Sequence, residues 1–146
     1  MERRFFTLEE ANTLLAYLSP LMELAHAKKV EIVKIVSGLE AAGIRVEELF
    51  KRDANADGDG QTSTQLRNLA DEINSLLIEM QDTGCVVKDL ETGLIDFLGR
   101  IGEEDIFLCW KLGESEVSHW HSPKEGFAQR KSLFTREILS EVAKLH

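Results

Sequence analysis

Several residue types are scarce in this chain of 146 residues, and each scarcity disfavours a class of protein. The two cysteines, Cys85 and Cys109, form neither a CxxC pair nor a regular framework, so no disulfide scaffold or zinc knuckle is indicated. Basic residues are also few, because 17 Lys and Arg stand against 26 Asp and Glu and give a net charge of -9. A chain without a basic face is a poor partner for nucleic acid or for an anionic membrane.

Long apolar runs are absent as well. No stretch approaches the roughly 18 consecutive apolar residues of a membrane-spanning helix, and the opening segment MERRFFTLEE has no apolar region of the kind found in signal peptides. Together with the unpaired cysteines, this pattern predicts a cytoplasmic protein that is not exported and needs no membrane or nucleic-acid partner.

The first part of the chain has a helical pattern. Thr7 and Glu10 have the spacing of a capping box, which predicts that a helix begins there. Apolar residues then recur at helical spacing until Gly43, which is expected to end the run. Pro20 lies inside it and lacks a backbone donor, so we expect a kink or two helices in close succession.

A second amphipathic helix is predicted over Gln61–Gly84, with Thr62 or Ser63 as its N-cap. A polar loop separates the two helical segments, and this arrangement predicts a long antiparallel helical hairpin over residues 7–84. After Gly84 the segments become short, β-branched and aromatic, with turn signals between them. They predict a small antiparallel β-meander of three or four strands over residues 85–122, followed by a loop and a short C-terminal helix in residues 123–146. The chain is thus expected to be one α+β domain, 1–146.

The loop between the helices resembles the start of a calcium-binding loop. Oxygen-bearing side chains occupy alternate positions at Asp53, Asn55, Asp57 and Asp59, which suits Ca²⁺. However, Thr64 stands where a bidentate Glu should close the site. The favoured interpretation is a flexible turn, with weak Ca²⁺ binding as the alternative.

The segment from Phe107 to Arg130 concentrates chemically versatile residues. Strand alternation places Cys109 on the face opposite Trp110, and the pairing with the next strand is open: one register sets Cys109 beside His119, the other sets Cys109 beside Trp120. His119 and His121 share a face, so a transition-metal site with help from Cys109 or Asp96 is possible. The favoured alternative is that the tryptophans pack the sheet against the helices and that Cys109 is an inert core residue.

Four polar residues form a second candidate site. Asp96, Glu114, His121 and Arg130 are expected to meet near one edge of the sheet, either as a ligand-binding pocket or as salt bridges that fix the following loop. Convergence in an open cleft would favour a functional site, and burial in mutual ion pairs would favour a structural role.

Four motifs in order, FFTLEEANTLL, KDLETGLIDF, LCWKLGE and WHSPKEGFAQR, resemble a prokaryotic family known as domain of unknown function 2203. The resemblance implies a helical hairpin followed by a sheet, and it implies no activity. The positions that match the family pattern are Asp89, Gly93, Asp96, Cys109, Trp110, Gly113, Glu114, Trp120, His121, Gly126, Phe127 and Arg130. His119 and Leu98 depart from that pattern, and the first departure weakens the idea of a metal site built on both histidines.

These observations favour a non-catalytic, cytosolic interaction or ligand-binding module that forms a homodimer through its helical hairpin, with a further protein partner also allowed. Whether the chain is an enzyme stays open. The alternative is a metal-dependent or hydrolytic enzyme that uses Asp96, Glu114, His121 and Arg130. No cofactor is predicted.

Overall fold

The computed structural model describes residues 4–55 and 60–133. Three helices come first and are followed by a five-stranded antiparallel sheet of order β1-β2-β3-β4-β5. The elements are α1 (Leu8–Ala41), α2 (Val46–Asn55), α3 (Gln61–Gln81), β1 (Val86–Asp89), β2 (Leu94–Ile101), β3 (Glu104–Lys111), β4 (His119–His121) and β5 (Lys131–Ser132). The predicted α+β class is therefore confirmed, whereas the predicted C-terminal helix lies outside the described residues.

Helix α1 begins where the sequence predicts. The Glu10 N–H donates to the Thr7 hydroxyl at 3.0 Å, and the Thr7 N–H donates to the Glu10 carboxylate at 2.9 Å. The helix then runs without interruption through Pro20 to Ala41, so the alternative of two separate helices is wrong. Gly43 follows in a left-handed conformation with φ of +75°, which suits the residue after a helix end.

The polar loop predicted after α1 is largely helical. Residues 46–55 form α2, whose Leu49 is buried. Helix α3 begins at Gln61 after Gly60, which has no side chain with which to cap it. Thr62 and Ser63 are already inside the first turn, and the Ser63 hydroxyl donates back to the Gly60 carbonyl at 3.0 Å. The predicted Thr or Ser cap is therefore wrong.

Polar contacts connect α1 with α3. The Tyr17 hydroxyl donates to the Glu79 carboxylate at 2.9 Å, and the Gln65 amide donates to the Glu31 carboxylate at 3.1 Å. As the residue number rises along α1, the number of its partner on α3 falls.

The sheet is a meander in which each strand pairs antiparallel with the next. Between β3 and β4, Cys109 lies opposite His119, so the first of the two predicted registers is observed. The sheet has five strands where three or four are predicted, because the two-residue β5 pairs with β4.

The two faces of the sheet differ in character. The inner face contributes Ile95, Phe97, Leu108 and Trp110 to a core shared with α1. Trp110 is almost completely buried, and Trp120 packs against the same core. Because side chains alternate along a strand, Asp96 and Cys109 project from the opposite, outer face.

Candidate functional site

Three neighbouring strands bring polar groups together on the outer face. Asp96 of β2 lies opposite Cys109 of β3, and His121 of β4 lies opposite Phe107, two residues before Cys109. The residues Asp96, Cys109 and His121 retain only 2%, 1% and 3% of their surface exposed. One oxygen, one sulfur and one nitrogen of these three side chains all lie within 4.8 Å of one another.

Asp96 and His121 form a buried pair that needs a shared proton. Nε2 of His121 lies 3.0 Å from Oδ2 of Asp96, and Nδ1 lies 2.9 Å from the carbonyl oxygen of Ser122. A carbonyl oxygen can only accept, so Nδ1 carries a proton and donates it. The contact with Asp96 then requires one further proton, held either by Nε2 or by the carboxyl group. Burial raises the pKa of Asp96, while the facing imidazole opposes that rise.

Cys109 joins this pair to the rest of the network. Its thiol lies within 4.8 Å of a carboxylate oxygen of Asp96 and close enough to the Arg130 guanidinium to interact with it electrostatically. Burial, reinforced by the Asp96 charge, raises the pKa of Cys109 to about 12. The free thiol is therefore protonated at neutral pH and is a poor nucleophile.

Glu114 and Arg130 form the second pair. Two guanidinium nitrogens of Arg130 donate to the two carboxylate oxygens of Glu114 at 2.9 and 2.8 Å, and the backbone N–H of Lys111 donates to the same carboxylate at 2.7 Å. Burial alone would raise the pKa of Glu114, but these donors outweigh it and the pKa is lowered. His119 lies at the rim of this pair, with Nδ1 3.5 Å from Glu114.

The four residues predicted to form a polar site do lie in one region. They are arranged as two pairs, the hydrogen-bonded Asp96 and His121 and the ion pair of Glu114 with Arg130, and Cys109 lies close to both pairs. Three surface grooves among the described residues are lined by the helices and the segment before α1, and none includes the four residues. The four residues pair with one another instead of lining an open cleft. Such pairing on its own favours a structural role.

The sequence predicts Cys109 to be an inert core residue, but in the structure it belongs to the polar network. The signal that identifies it is strand alternation, which places Cys109 on the face opposite Trp110. Once β2 and β3 pair with Asp96 opposite Cys109, that face is the polar one.

A second notable surface lies on α1. The buried residues of α1 recur every three or four positions and share one core with the sheet, and they are Ala11, Leu15, Leu18, Met22 and Ala25. No residue of α1 beyond Ala25 is buried. The same stripe continues at this spacing through Lys29, Val33, Val36 and Glu40, and Val33 is 44% exposed.

The candidate calcium ligands are only partly described. Asp53 and Asn55 lie in the last turn of α2 instead of opening a loop, and Asp57 and Asp59 lie outside the described residues.

Comparison with known proteins supports the resemblance seen in the motifs. A family model described as "Uncharacterized conserved protein (DUF2203)" matches residues 4–133. No curated protein and no solved structure matches the chain. Within residues 4–55 and 60–133, no helix has both the length and the apolar character required to cross a bilayer.

Proposed function

We propose a function in self-association for this chain, which belongs to the DUF2203 family of uncharacterized conserved proteins. In this proposal the protein is a small, non-catalytic, cytosolic module of prokaryotic origin. Helices α1 and α3 form an antiparallel hairpin, and the end of the hairpin that extends past the sheet pairs with a second copy.

The observation that carries the proposal is the continuation of the core stripe past the core, where Val33 is exposed and Val36 is half-buried. Up to Ala25 this stripe of α1 is buried against the sheet, whereas Val33 and Val36 continue it with no buried residue around them on the helix. Apolar side chains that extend a core stripe beyond the core are typical of an interface.

A second copy fits this surface because the stripe is complementary to itself. In an antiparallel pair of α1 helices related by a two-fold axis between Val33 and Val36, each Val33 meets the partner's Val36. The same axis sets Lys29 opposite Glu40 of the other copy, so opposite charges flank the apolar centre. Neither side chain has an ion-pair partner within the described part of the chain.

Light scattering of the full chain over a range of concentrations tests the proposal. The wild type is expected to dimerise, and Val33→Glu is expected to weaken the dimer at least about a hundredfold by placing a charge at its centre. Val86→Glu is the matched control, since Val86 is 37% exposed but lies on the sheet. It should leave the dimer unchanged.

Charge exchange sharpens the test. Lys29→Glu should weaken the dimer by setting two acidic residues against each other, and Lys29→Glu combined with Glu40→Lys should restore it. A wild type that stays monomeric at about 100 μM, well above the micromolar range of weak specific dimers, would refute the proposal. So would a Val33→Glu variant that dimerises as tightly as the wild type.

The alternative of an enzyme built on the polar network has less support. The guanidinium of Arg130 is held by Glu114, so binding an anionic substrate there would first require breaking a bidentate pair.

A further inference from the structure

The proposed dimer leaves the outer face of the sheet without an assigned role. From the geometry of that face we propose that Asp96, Cys109 and His121 form a binding site for one divalent transition-metal ion of the Zn²⁺ class. This site is independent of α1 and of the self-association proposed above.

The three side chains supply a ligand set that suits such an ion. A thiolate, an imidazole and a carboxylate are all established ligands of Zn²⁺, and hard ions such as Mg²⁺ and Ca²⁺ prefer oxygen alone. In a tetrahedral site the ligand atoms are separated by about 3.3–3.7 Å, as follows from metal–ligand bonds of roughly 2.0–2.3 Å. The present separations are all within 4.8 Å, so rotamer adjustments of about 1 Å are sufficient.

His121 is oriented as a metal-binding histidine usually is. Its Nδ1–H donates to the Ser122 carbonyl, which fixes the ring and leaves Nε2 as the nitrogen directed at Asp96. A ligating histidine almost always donates its other ring N–H to a carbonyl or carboxylate in this way. A metal ion would take the place of the proton that Nε2 and Asp96 now share.

The charges also balance. Carboxylate and thiolate together neutralise a divalent ion, and the adjacent Glu114–Arg130 pair adds no net charge. Metal binding would displace the thiol proton of Cys109 together with the proton shared by Asp96 and His121, because the ligands bind in their deprotonated forms. Because Glu114 is held by Arg130, residues 4–55 and 60–133 supply three ligands, and the fourth position of a tetrahedral site is open to water or another donor.

Titration of the reduced, metal-stripped, untagged chain with Co²⁺ tests the site. We expect one Co²⁺ per chain, with a sulfur-to-cobalt charge-transfer band and the intense visible bands of four-coordinate Co²⁺, both removed by Zn²⁺. The matched controls are Cys85→Ala, which removes the other buried cysteine, and His119→Ala, which removes the neighbouring histidine of β4. Both should retain these bands.

Removal of a ligand should abolish the signal. Cys109→Ala and His121→Ala are each expected to lower the Co²⁺ affinity by more than about a hundredfold. This loss exceeds the one typical of replacing a residue that only hydrogen-bonds to a ligand. The wild type and Cys85→Ala decide the question even if a ligand variant fails to fold. A charge-transfer band absent from the wild type, lost in Cys85→Ala, or retained in a folded Cys109→Ala variant would overturn the proposal.

Discussion

The turn between β1 and β2 depends on a glycine whose replacement has two separate costs. Gly93 has a φ of +71°, a left-handed conformation that costs a residue with a Cβ about 1 kcal/mol. A Cβ there would also lie 2.4 Å from Cβ of Leu112, far inside contact distance. Leu112 cannot easily retreat, because its N–H donates to the Gly93 carbonyl at 2.9 Å. Overpacking of this kind costs about 1–3 kcal/mol, so Gly93→Ala should lower the free energy of unfolding by about 2–4 kcal/mol in total.

Gly43 separates the two costs. Its φ of +75° is nearly the same, but a Cβ there would meet nothing within 4 Å. Gly43→Ala should therefore lose only the conformational part, about 1 kcal/mol. Urea unfolding followed by circular dichroism gives both free energies by linear extrapolation. Equal losses in the two variants would show that the contact with Leu112 relaxes freely, and the steric reasoning would be refuted.

Two further predictions concern the ion pairs of the metal-free protein. Asp96→Asn removes the carboxyl group that shares a proton with buried His121 and should lower the free energy of unfolding by about 3 kcal/mol, as breaking a buried pair does. The corresponding Asp105→Asn, in an exposed pair, should cost less than about 1 kcal/mol in the same urea experiment. The lowered pKa of Glu114 means that its stabilising contribution is present above the ordinary value of 4.5 and is lost as the pH falls through the folded-state value. Glu114→Gln, which leaves Arg130 unpaired, should reduce stability at pH 7 and flatten this acid-side decline. A decline as steep as in the wild type would contradict the assignment.

Local signals decided which helical features could be predicted. The start of α1 follows from Thr7 and Glu10, which cap the helix without help from the rest of the chain. The continuity of α1 through Pro20 does not follow from local signals. The flanking Leu18 and Met22 are fully buried, and this tertiary packing offsets the backbone hydrogen bond that proline cannot make. Helix α2 was missed because turn-forming residues follow it, and because its support comes from burial of Leu49, a tertiary effect.

The sheet shows the same division. Alternation predicts which residues share a face, so the grouping of the polar residues could be foreseen. The register could not, because residues 112–118 separate β3 from β4 and form no standard hairpin turn. Strand β5 is defined by its pairing with β4, since two residues carry no periodic signal. That register also determines which charged side chains pair with one another and places Cys109 between the two pairs.

Stability alone does not explain the polar network on the outer face. A buried ion pair seldom stabilises a protein more than well-packed apolar residues of similar volume would. The same face of β2 shows that apolar packing is available, since Leu98, two residues after Asp96, is an ordinary buried side chain. Stability alone would therefore favour apolar residues at these positions. Three adjacent strands instead carry a carboxylate, a thiol and an imidazole that meet in one place, and the His121 ring is oriented by a backbone carbonyl. We infer that these groups are present because they bind a ligand, and that the free energy of binding offsets the cost of burying them.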